Sequence, residues 1–268
     1  MNLTDPSELK ALLLRHGLRP TKQWGQHFLV SPKVVEAILS RLTVNPAPLS
    51  ALEVGPGPGV LTAGLTDRVN HVVAIEVDPI AVSALGESAS KARVHHADAL
   101  QFDLRQVLLE LPEPRVLVSN MPYNITGPLL ARFAAVRDLY QRAVLMMQHE
   151  VGRKILAQAG NSEMGSLSIA MQTQFEIRKV IDAPAGAFFP PPKVESIVLE
   201  FIPRPAEPDE DEFLGFVRQG FSQPRKTLAN NLRGRFDPVR LEGLGLSPTV
   251  RPHQIDRETW RKLYNESR

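Results

Sequence analysis

Apolar positions along the chain change period more than once. Over residues 5–16 they fall at Leu9, Leu12 and Leu13, one face of a helix. Asp5 is its expected N-cap, Pro6 sits at the first helical position, Glu8 completes a capping box and Gly17 ends it. Helical spacing returns over 32–42 through Val34, Val35, Ile38, Leu39 and Leu42, and Asn45-Pro46-Ala47-Pro48 then breaks the chain. From residue 51 the pattern switches. Short apolar runs at 51–54, 72–78, near 94–96, 115–119 and 142–147 alternate with helical segments around 104–111 and 127–137. That alternation predicts an α/β fold with a parallel sheet. Residues 148–159 and 167–174 read as further helix, and 177–181 with 196–201 as a late pair of strands. Pro203-Arg204-Pro205-Ala206-Glu207-Pro208 is a linker by composition, and 211–268 are helical in pattern. The expected division is therefore residues 1–203 and a helical domain of residues 204–268.

Composition narrows the chemistry. The 268 residues include no cysteine, which removes disulfides, thiolate metal sites and cysteine-held iron–sulfur clusters. The seven histidines show no ligand spacing, so no metal is expected. No apolar run is long enough to span a membrane and Leu12-Leu13-Leu14 is too short for a signal-peptide core, so a soluble cytoplasmic protein is expected. The net charge is only +2, but from residue 215 onward eleven Lys or Arg face five Asp or Glu. Arg218, Arg225, Lys226, Arg233 and Arg235 recur there around Asn230 and Asn231, with Arg225, Lys226 and Arg233 on a predicted helix. Such an excess suggests a phosphate-binding face, although a solvated helix surface has the same composition.

The first strand ends in Glu53-Val54-Gly55-Pro56-Gly57-Pro58-Gly59. Glycines spaced two apart permit positive φ and let a ligand approach the backbone, as at the carboxyl end of a first parallel strand. A dinucleotide fingerprint would need glycine at position 60, where Val60 stands. The spacing E-x-G-x-G-x-G is instead similar to that of S-adenosylmethionine (SAM) methyltransferases. Glu76 lies 21 residues past Gly55, the offset at which a carboxylate reaches ribose hydroxyls. Asp98 ends the third strand and is placed to accept from an adenine amino group. The structural alternative for such acids is a helix N-cap, which Asp78-Pro79 signals.

The fourth strand ends in Asn120-Met121-Pro122-Tyr123-Asn124. The exocyclic amine of adenine is a poor nucleophile because its lone pair is delocalised into the ring. Accepting hydrogen bonds from its protons moves the nitrogen toward tetrahedral geometry. Asn120 offers an amide oxygen, the carbonyl before or at Pro122 a second acceptor, and Tyr123 a flat face for the base. An ordinary Asn-x-Pro turn is the bland reading of the same tripeptide. Phe188-Phe189-Pro190-Pro191-Pro192-Lys193-Val194 is a stiff loop suited to a second wall of a base pocket, or to a connection with buried phenylalanines.

Taken together these residues resemble the small-subunit rRNA adenine N6,N6-dimethyltransferases, the KsgA family. The similarity runs through GQHFL at 25–29, LEVGPGPGVLT at 52–62, EVD at 76–78, DAL at 98–100, NMPYNIT at 120–126, FFPPPKVES at 188–196 and FSQPRKTLANNL at 221–232. Many relatives carry asparagine where His27 stands, leucine or isoleucine where Met121 stands, and arginine where Pro224 stands. The resemblance implies a Rossmann-like SAM-dependent methyltransferase sheet with a small C-terminal helical domain that contacts RNA. It implies that the early loop closes over SAM with His27 and Leu29 contributing, that Gly55 approaches the methionine part with Gly57 also binding the cofactor, and that Glu76 and Asp98 take the ribose and adenine. Asn120, beside the cofactor, would position the target amine, Pro122 would fix the acceptor carbonyl, and Tyr123 and Phe188 would sandwich the flipped base. The implied partner is 16S rRNA within the small ribosomal subunit or its precursor, met by a monomer, and the implied target is a pair of adjacent adenosines in the hairpin loop near its 3′ end. Two rivals stand beside this expectation. One is an Erm-type 23S rRNA methyltransferase, against which FSQPRKTLANNL and the helical tail weigh. The other is a non-catalytic assembly factor on the same fold, against which the intact N-x-P-Y residues weigh.

Overall fold

The computed structural model describes residues 1–20, 25–42 and 50–268. Lys22, Gln23 and Trp24 of the early loop, and the expected break at Asn45-Pro46-Ala47-Pro48, lie outside the described residues. By packing the chain forms two compact units, 1–149 with 178–203 and 150–177 with 204–268.

The first unit opens with α1 (Pro6–His16), β1 (Phe28–Leu29) and α2 (Pro32–Leu39). Asp5 caps α1 by accepting from the Ser7 N–H at 2.7 Å, but the capping box does not form. The Asp5 N–H already donates to the Asn2 carbonyl, so the Glu8 carboxylate reaches the Asn2 N–H instead, at 2.7 Å. Then strands and helices alternate through β2 (Ser50–Val54), α3 (Val60–Thr66), β3 (His71–Glu76), α4 (Pro79–Ser88), β4 (Arg93–His96), α5 (Leu104–Glu110), β5 (Arg115–Asn120), α6 (Thr126–Ala135) and β6 (Arg142–Gln148). The chain continues through α7 (His149–Leu156), α8 (Ser166–Gln174), β7 (Phe175–Ala183), β8 (Phe188–Phe189) and β9 (Ser196–Pro203).

Seven strands form one sheet in the order β4-β3-β2-β5-β6-β9-β7, and β1 pairs with β8 in a separate two-stranded ribbon. The pairs β2–β3, β2–β5, β3–β4 and β5–β6 are parallel, and β9 runs antiparallel to β6. Every residue of β2 is buried, as a central parallel strand covered on both faces requires. The strand order reverses between β2 and β5, and ligands of open α/β sheets bind in the crevice at the carboxyl ends of the strands flanking such a reversal. This is a Rossmann-like sheet, as the alternating pattern predicted.

The second unit has its own apolar core. Its later helices are α9 (Glu210–Gly220), α10 (Leu228–Asn231), α11 (Pro238–Gly243) and α12 (Arg257–Glu266). Trp260 is fully buried among Phe213, Phe216 and Phe221, and stacks on Phe221 with ring centroids 5.2 Å apart. Ala157, Met164 and Ile169 complete that core. This is why the packing boundary differs from the expected one at residue 203: residues 150–177 lend their apolar side chains to the later helices. Among the described residues no helix is long and apolar enough to cross a membrane.

Candidate active site

At the end of β2 the chain turns through Gly55, Gly57 and Gly59 with φ of 71°, 56° and 95°. These left-handed values favour glycine, which has no Cβ. Space is limiting as well: a Cβ on Gly57 would meet Cε1 of Phe28 at 3.0 Å. Glu76, at the end of β3, fastens this turn. Its Oε2 accepts from the Gly57 N–H at 2.9 Å, and its Oε1 accepts from the N–H groups of Val77 at 2.9 Å and Asp78 at 3.0 Å. Burial raises its pKa, and the three N–H bonds oppose that rise. A carboxylate has about four acceptor positions, so these bonds leave room for a ligand hydroxyl. Asp78 caps α4 through the Ile80 N–H, as its sequence signalled, and holds the Gln26 amide with its other oxygen at 2.8 Å. Asp98 accepts from the Leu100 N–H at 2.9 Å and from the Gln101 side chain at 3.2 Å, and is only half-buried.

Glu53, inside β2, served in the sequence only as the head of the glycine pattern. It is 1% exposed and its Oε2 has no hydrogen-bond partner among the described residues. Burial raises its pKa to about 8; the Thr62 hydroxyl opposes the shift and the neighbouring Glu76 adds to it. A buried acid with an unmet oxygen on the wall of a cleft is suited to a cationic ligand group. Its offset within the glycine pattern was the available signal.

On the other side of the reversal, the Ser119 hydroxyl donates to the Val54 carbonyl at 2.7 Å and aligns the end of β5 with that of β2. Asn120 follows. Its Nδ2 donates to the His27 carbonyl at 3.0 Å. A carbonyl only accepts, so the amide is fixed with its NH2 on that side, and Oδ1 keeps its acceptor capacity. The Pro122 carbonyl is engaged by the Ile125 N–H and the Thr126 hydroxyl, both at 3.2 Å. Of the two carbonyls the sequence left open, that leaves Met121 the one with no such bond among the described residues. Tyr123 lies stacked against His27, centroids 5.4 Å apart and planes at 26°, and its hydroxyl shares a 2.6 Å hydrogen bond with Ser196. Burial raises its pKa, with the Ser196 bond opposing.

His27 has a definite role in the fold. Its Nδ1 donates to the Pro190 carbonyl at 2.8 Å, its ring lies on Tyr123 and its own carbonyl orients Asn120. Leu29, beside it on β1, is buried.

These groups line one cleft of about 870 Å³, part of it open to solvent. His27, Leu29, Gly55, Gly57, Glu76, Asp98, Asn120, Pro122 and Tyr123 all reach it. Phe188 does not. The register of the small ribbon sets Leu29 opposite Phe188 and Phe28 opposite Phe189, and Phe188 is buried in the apolar core at 3% exposure. The expected sandwich of Tyr123 with Phe188 is thus corrected: the ring against Tyr123 is His27.

In the second unit Arg225 and Lys226 stand in a turn before α10, and Arg233 just after it, rather than on one helix. All three are exposed and have no acidic partner among the described residues. The turn is built by Asn231. Its Oδ1 accepts from the Gln223 N–H at 2.8 Å and the Ser222 hydroxyl at 3.1 Å, and its Nδ2 donates to the carbonyls of Gln223 and Thr227, both at 3.1 Å.

Comparison with known proteins bears on the cleft. The profile of the family described as ribosomal RNA adenine dimethylase matches residues 17–267. Ribosomal RNA small subunit methyltransferase A of Syntrophotalea carbinolica is 38% identical over 255 residues, covering 91% of this chain and 96% of that protein. The protein of the same name from Chromobacterium violaceum is 36% identical over 253 residues, covering 92% and 95%. Among solved structures, a dimethyladenosine transferase from Plasmodium falciparum superposes with a TM-score of 0.73 at 26% identity, over 90% of this chain and 98% of that one. The 23S rRNA methyltransferase ErmE shares the fold, with a TM-score of 0.68 at 24% identity over 89% and 98%. By the profile and these relatives, the chain belongs to the ribosomal RNA adenine dimethylase family.

Proposed function

We propose that this dimethylase methylates, twice each, the exocyclic N6 amines of two adjacent adenosines in the hairpin loop near the 3′ end of 16S rRNA, with SAM as donor and the cleft of the first unit as its site. The residues present suit SAM. The glycine turn holds left-handed φ with the Phe28 ring close against Gly57, which suits a backbone that a ligand approaches, and the unmet Glu53 Oε2 suits an ammonium group. Glu76 keeps acceptor capacity for a ribose hydroxyl, and Asp98 is half-exposed beside it for a base amine. When bound, SAM would supply a methyl group from a sulfonium that leaves as a neutral thioether, and the methylated nitrogen, made acidic by its new positive charge, would release its proton to water, so the reading calls for neither metal nor strong base.

The rest falls to the chain. Asn120 Oδ1 accepts from one amine proton of adenine and the Met121 carbonyl from the other, drawing the nitrogen toward tetrahedral geometry. Tyr123 supports the base. Holding the amine in line with the methyl group provides most of the acceleration, because a positioned pair reacts as one molecule. The observation that carries this reading is the Asn120 amide, turned by the His27 carbonyl so that its oxygen remains the available acceptor. The 36–38% identical relatives named for the small subunit favour 16S rRNA over the target in ErmE's name. Such a substrate is met in the cytoplasm, and one copy of the cleft suffices, so the enzyme is taken to act there as a monomer. Exposed Arg225, Lys226 and Arg233 are assigned to RNA phosphates.

The test is methylation of ribosomal subunits purified from a strain lacking this gene, with products mapped to the nucleotide. Two adjacent N6,N6-dimethyladenosines in 16S rRNA are expected. Modification of 23S rRNA instead, or none in the presence of SAM, overturns the reading.

A further inference from the structure

We infer that segment 188–196 serves the reaction through its two ends, and that Ser196 is a positioning residue for the aromatic face at Tyr123. The inference rests on the reading that Tyr123 supports the target adenine. Phenylalanine would present the same stacking face, so stacking does not account for a hydroxyl at this position. Among the described residues that hydroxyl has one partner, Ser196 Oγ at 2.6 Å. Ser196 is fully buried and opens β9, where it pairs opposite Gln148 of β6. The ladder runs one step further, with the His149 N–H donating to the Glu195 carbonyl at 2.9 Å. A side chain anchored there cannot shift without disturbing the sheet.

The ring of Tyr123 is therefore held at both ends. Its backbone begins the tight turn of residues 123–125 after β5, and its hydroxyl reaches past β6 to β9. A second restraint comes from the same segment, because the Pro190 carbonyl holds His27 and His27 lies on the ring. Segment 188–196 thus orients the base platform by a hydroxyl and a carbonyl, while Phe188 stays in the core. The consequence falls on the second methyl transfer. A monomethylated amine must present its lone pair in the same line with only one N–H left to orient it, while its first methyl is accommodated, so a platform free to tilt harms that step more than the first.

The experiment compares Tyr123→Phe, Ser196→Ala, the double variant, Ser196→Thr and Tyr123→Ala. The readouts are single-turnover transfer at saturating SAM, the ratio of monomethyl to dimethyl adenosine by mass spectrometry, and SAM affinity by calorimetry. Tyr123→Phe and Ser196→Ala are each expected to slow the second transfer about three- to tenfold and to accumulate the monomethyl product. The double variant is expected to be no slower than either single one, SAM affinity to stay unchanged, and Ser196→Thr to restore the ratio. Multiplying effects in the double variant, or wild-type ratios in both single variants, overturn the inference. If Ser196→Ala does not fold, Tyr123→Phe decides alone: a wild-type ratio there overturns it. Tyr123→Ala separates the two levels of the argument. A wild-type rate in that variant removes the stacking role itself, whereas a slow Tyr123→Ala beside a wild-type Tyr123→Phe removes only the role of Ser196.

Discussion

In the cleft, the Glu76 carboxylate, the Asn120 amide and the His27 ring all bond protein groups, whereas the exposed side chains of Arg225 and Lys226 of the second unit bond none among the described residues. Both regions are rich in polar side chains, yet the bonding runs opposite ways. The cleft fixes its functional groups directly. In the second unit the fixing is delegated to Asn231, which fastens the turn and leaves the cations bare. Other cations of that unit are drawn into structure: Arg240 lies over the Phe236 ring, and Arg261 pairs with Asp209 at 3.0 Å. On the proposed reading the contrast corresponds to two modes of recognition: the cleft would select by positioned dipoles at short range, and the turn would attract by charge that salt screens.

The largest expected effect breaks the cleft side of this comparison. Asn120→Ala removes the oriented acceptor, and loss of one such contact costs about a hundredfold or more in turnover. SAM affinity is expected to stay nearly unchanged, as calorimetry on the same sample reads. Wild-type turnover would leave the Met121 carbonyl as the sole acceptor and void the argument from the amide.

Glu76→Ala comes next, since it strips the acceptor from three backbone N–H groups and frees the glycine turn. Hydrogen bonds to a charged group contribute about 1.5–3 kcal/mol, so SAM affinity is expected to fall by one to two orders of magnitude. Asp98→Ala, at a half-exposed carboxylate, is expected to cost about tenfold or less. Unaltered calorimetric affinity in both variants removes the cofactor assignment.

The triple variant Arg225→Ala, Lys226→Ala, Arg233→Ala tests the other side. Subunit affinity is expected to fall about tenfold at moderate salt, and the slope against salt to flatten by about 0.7–0.9 per lost phosphate contact. SAM affinity is expected to hold. Asn231→Ala sharpens the contrast, because it keeps the cations and loosens the turn: affinity drops while the slope stays. An unchanged slope and affinity in the triple variant assigns these residues to solvation.

The regions also differ in how far the sequence disclosed them. The strand ends of the cleft follow a period of apolar runs, so Gly55, Glu76, Asp98 and Asn120 could be placed together from pattern alone. Phe188 could not. Which of two adjacent phenylalanines enters the core depends on the pairing of β8 with β1, more than a hundred residues away in sequence, and no local periodicity exists in a two-residue strand. The Glu8 capping box failed because an upstream carbonyl took the N–H it required. The packing boundary was hidden for a similar reason, since the helices of 150–177 read as amphipathic whichever core they enter. In the tail, composition disclosed the charge, but the bonding of Asn231 that shapes it is a tertiary fact.

Glu53 is the cleft carboxylate with a buried oxygen that has no partner among the described residues, and it yields the smallest and most diagnostic effect. Its folded pKa of about 8 lies above the ordinary carboxyl value of 4.5. Between those values the folded ligand-free chain holds a proton that the unfolded chain has released, so this group makes stability fall as pH rises through that window. Glu53→Gln keeps the volume and removes the titration. Its melting temperature is expected to lack that share of the decline, and to exceed that of the wild type increasingly as pH approaches 8. SAM binding should run the other way, because an ammonium beside the carboxylate favours the ionised form that glutamine cannot reach. Near pH 8 wild-type Glu53 ionises at little cost and binds more tightly than the variant; near pH 6 part of that advantage is consumed in releasing the proton. The ratio of the two affinities is the useful quantity, since the ligand's own titration cancels in it. A ratio that widens about severalfold from pH 6 to pH 8 supports an ionising Glu53 beside the amino group. A flat ratio with melting curves that still diverge shows a carboxyl that stays protonated and serves only the packing of β2, whereas parallel melting curves show that the folded chain does not raise its pKa.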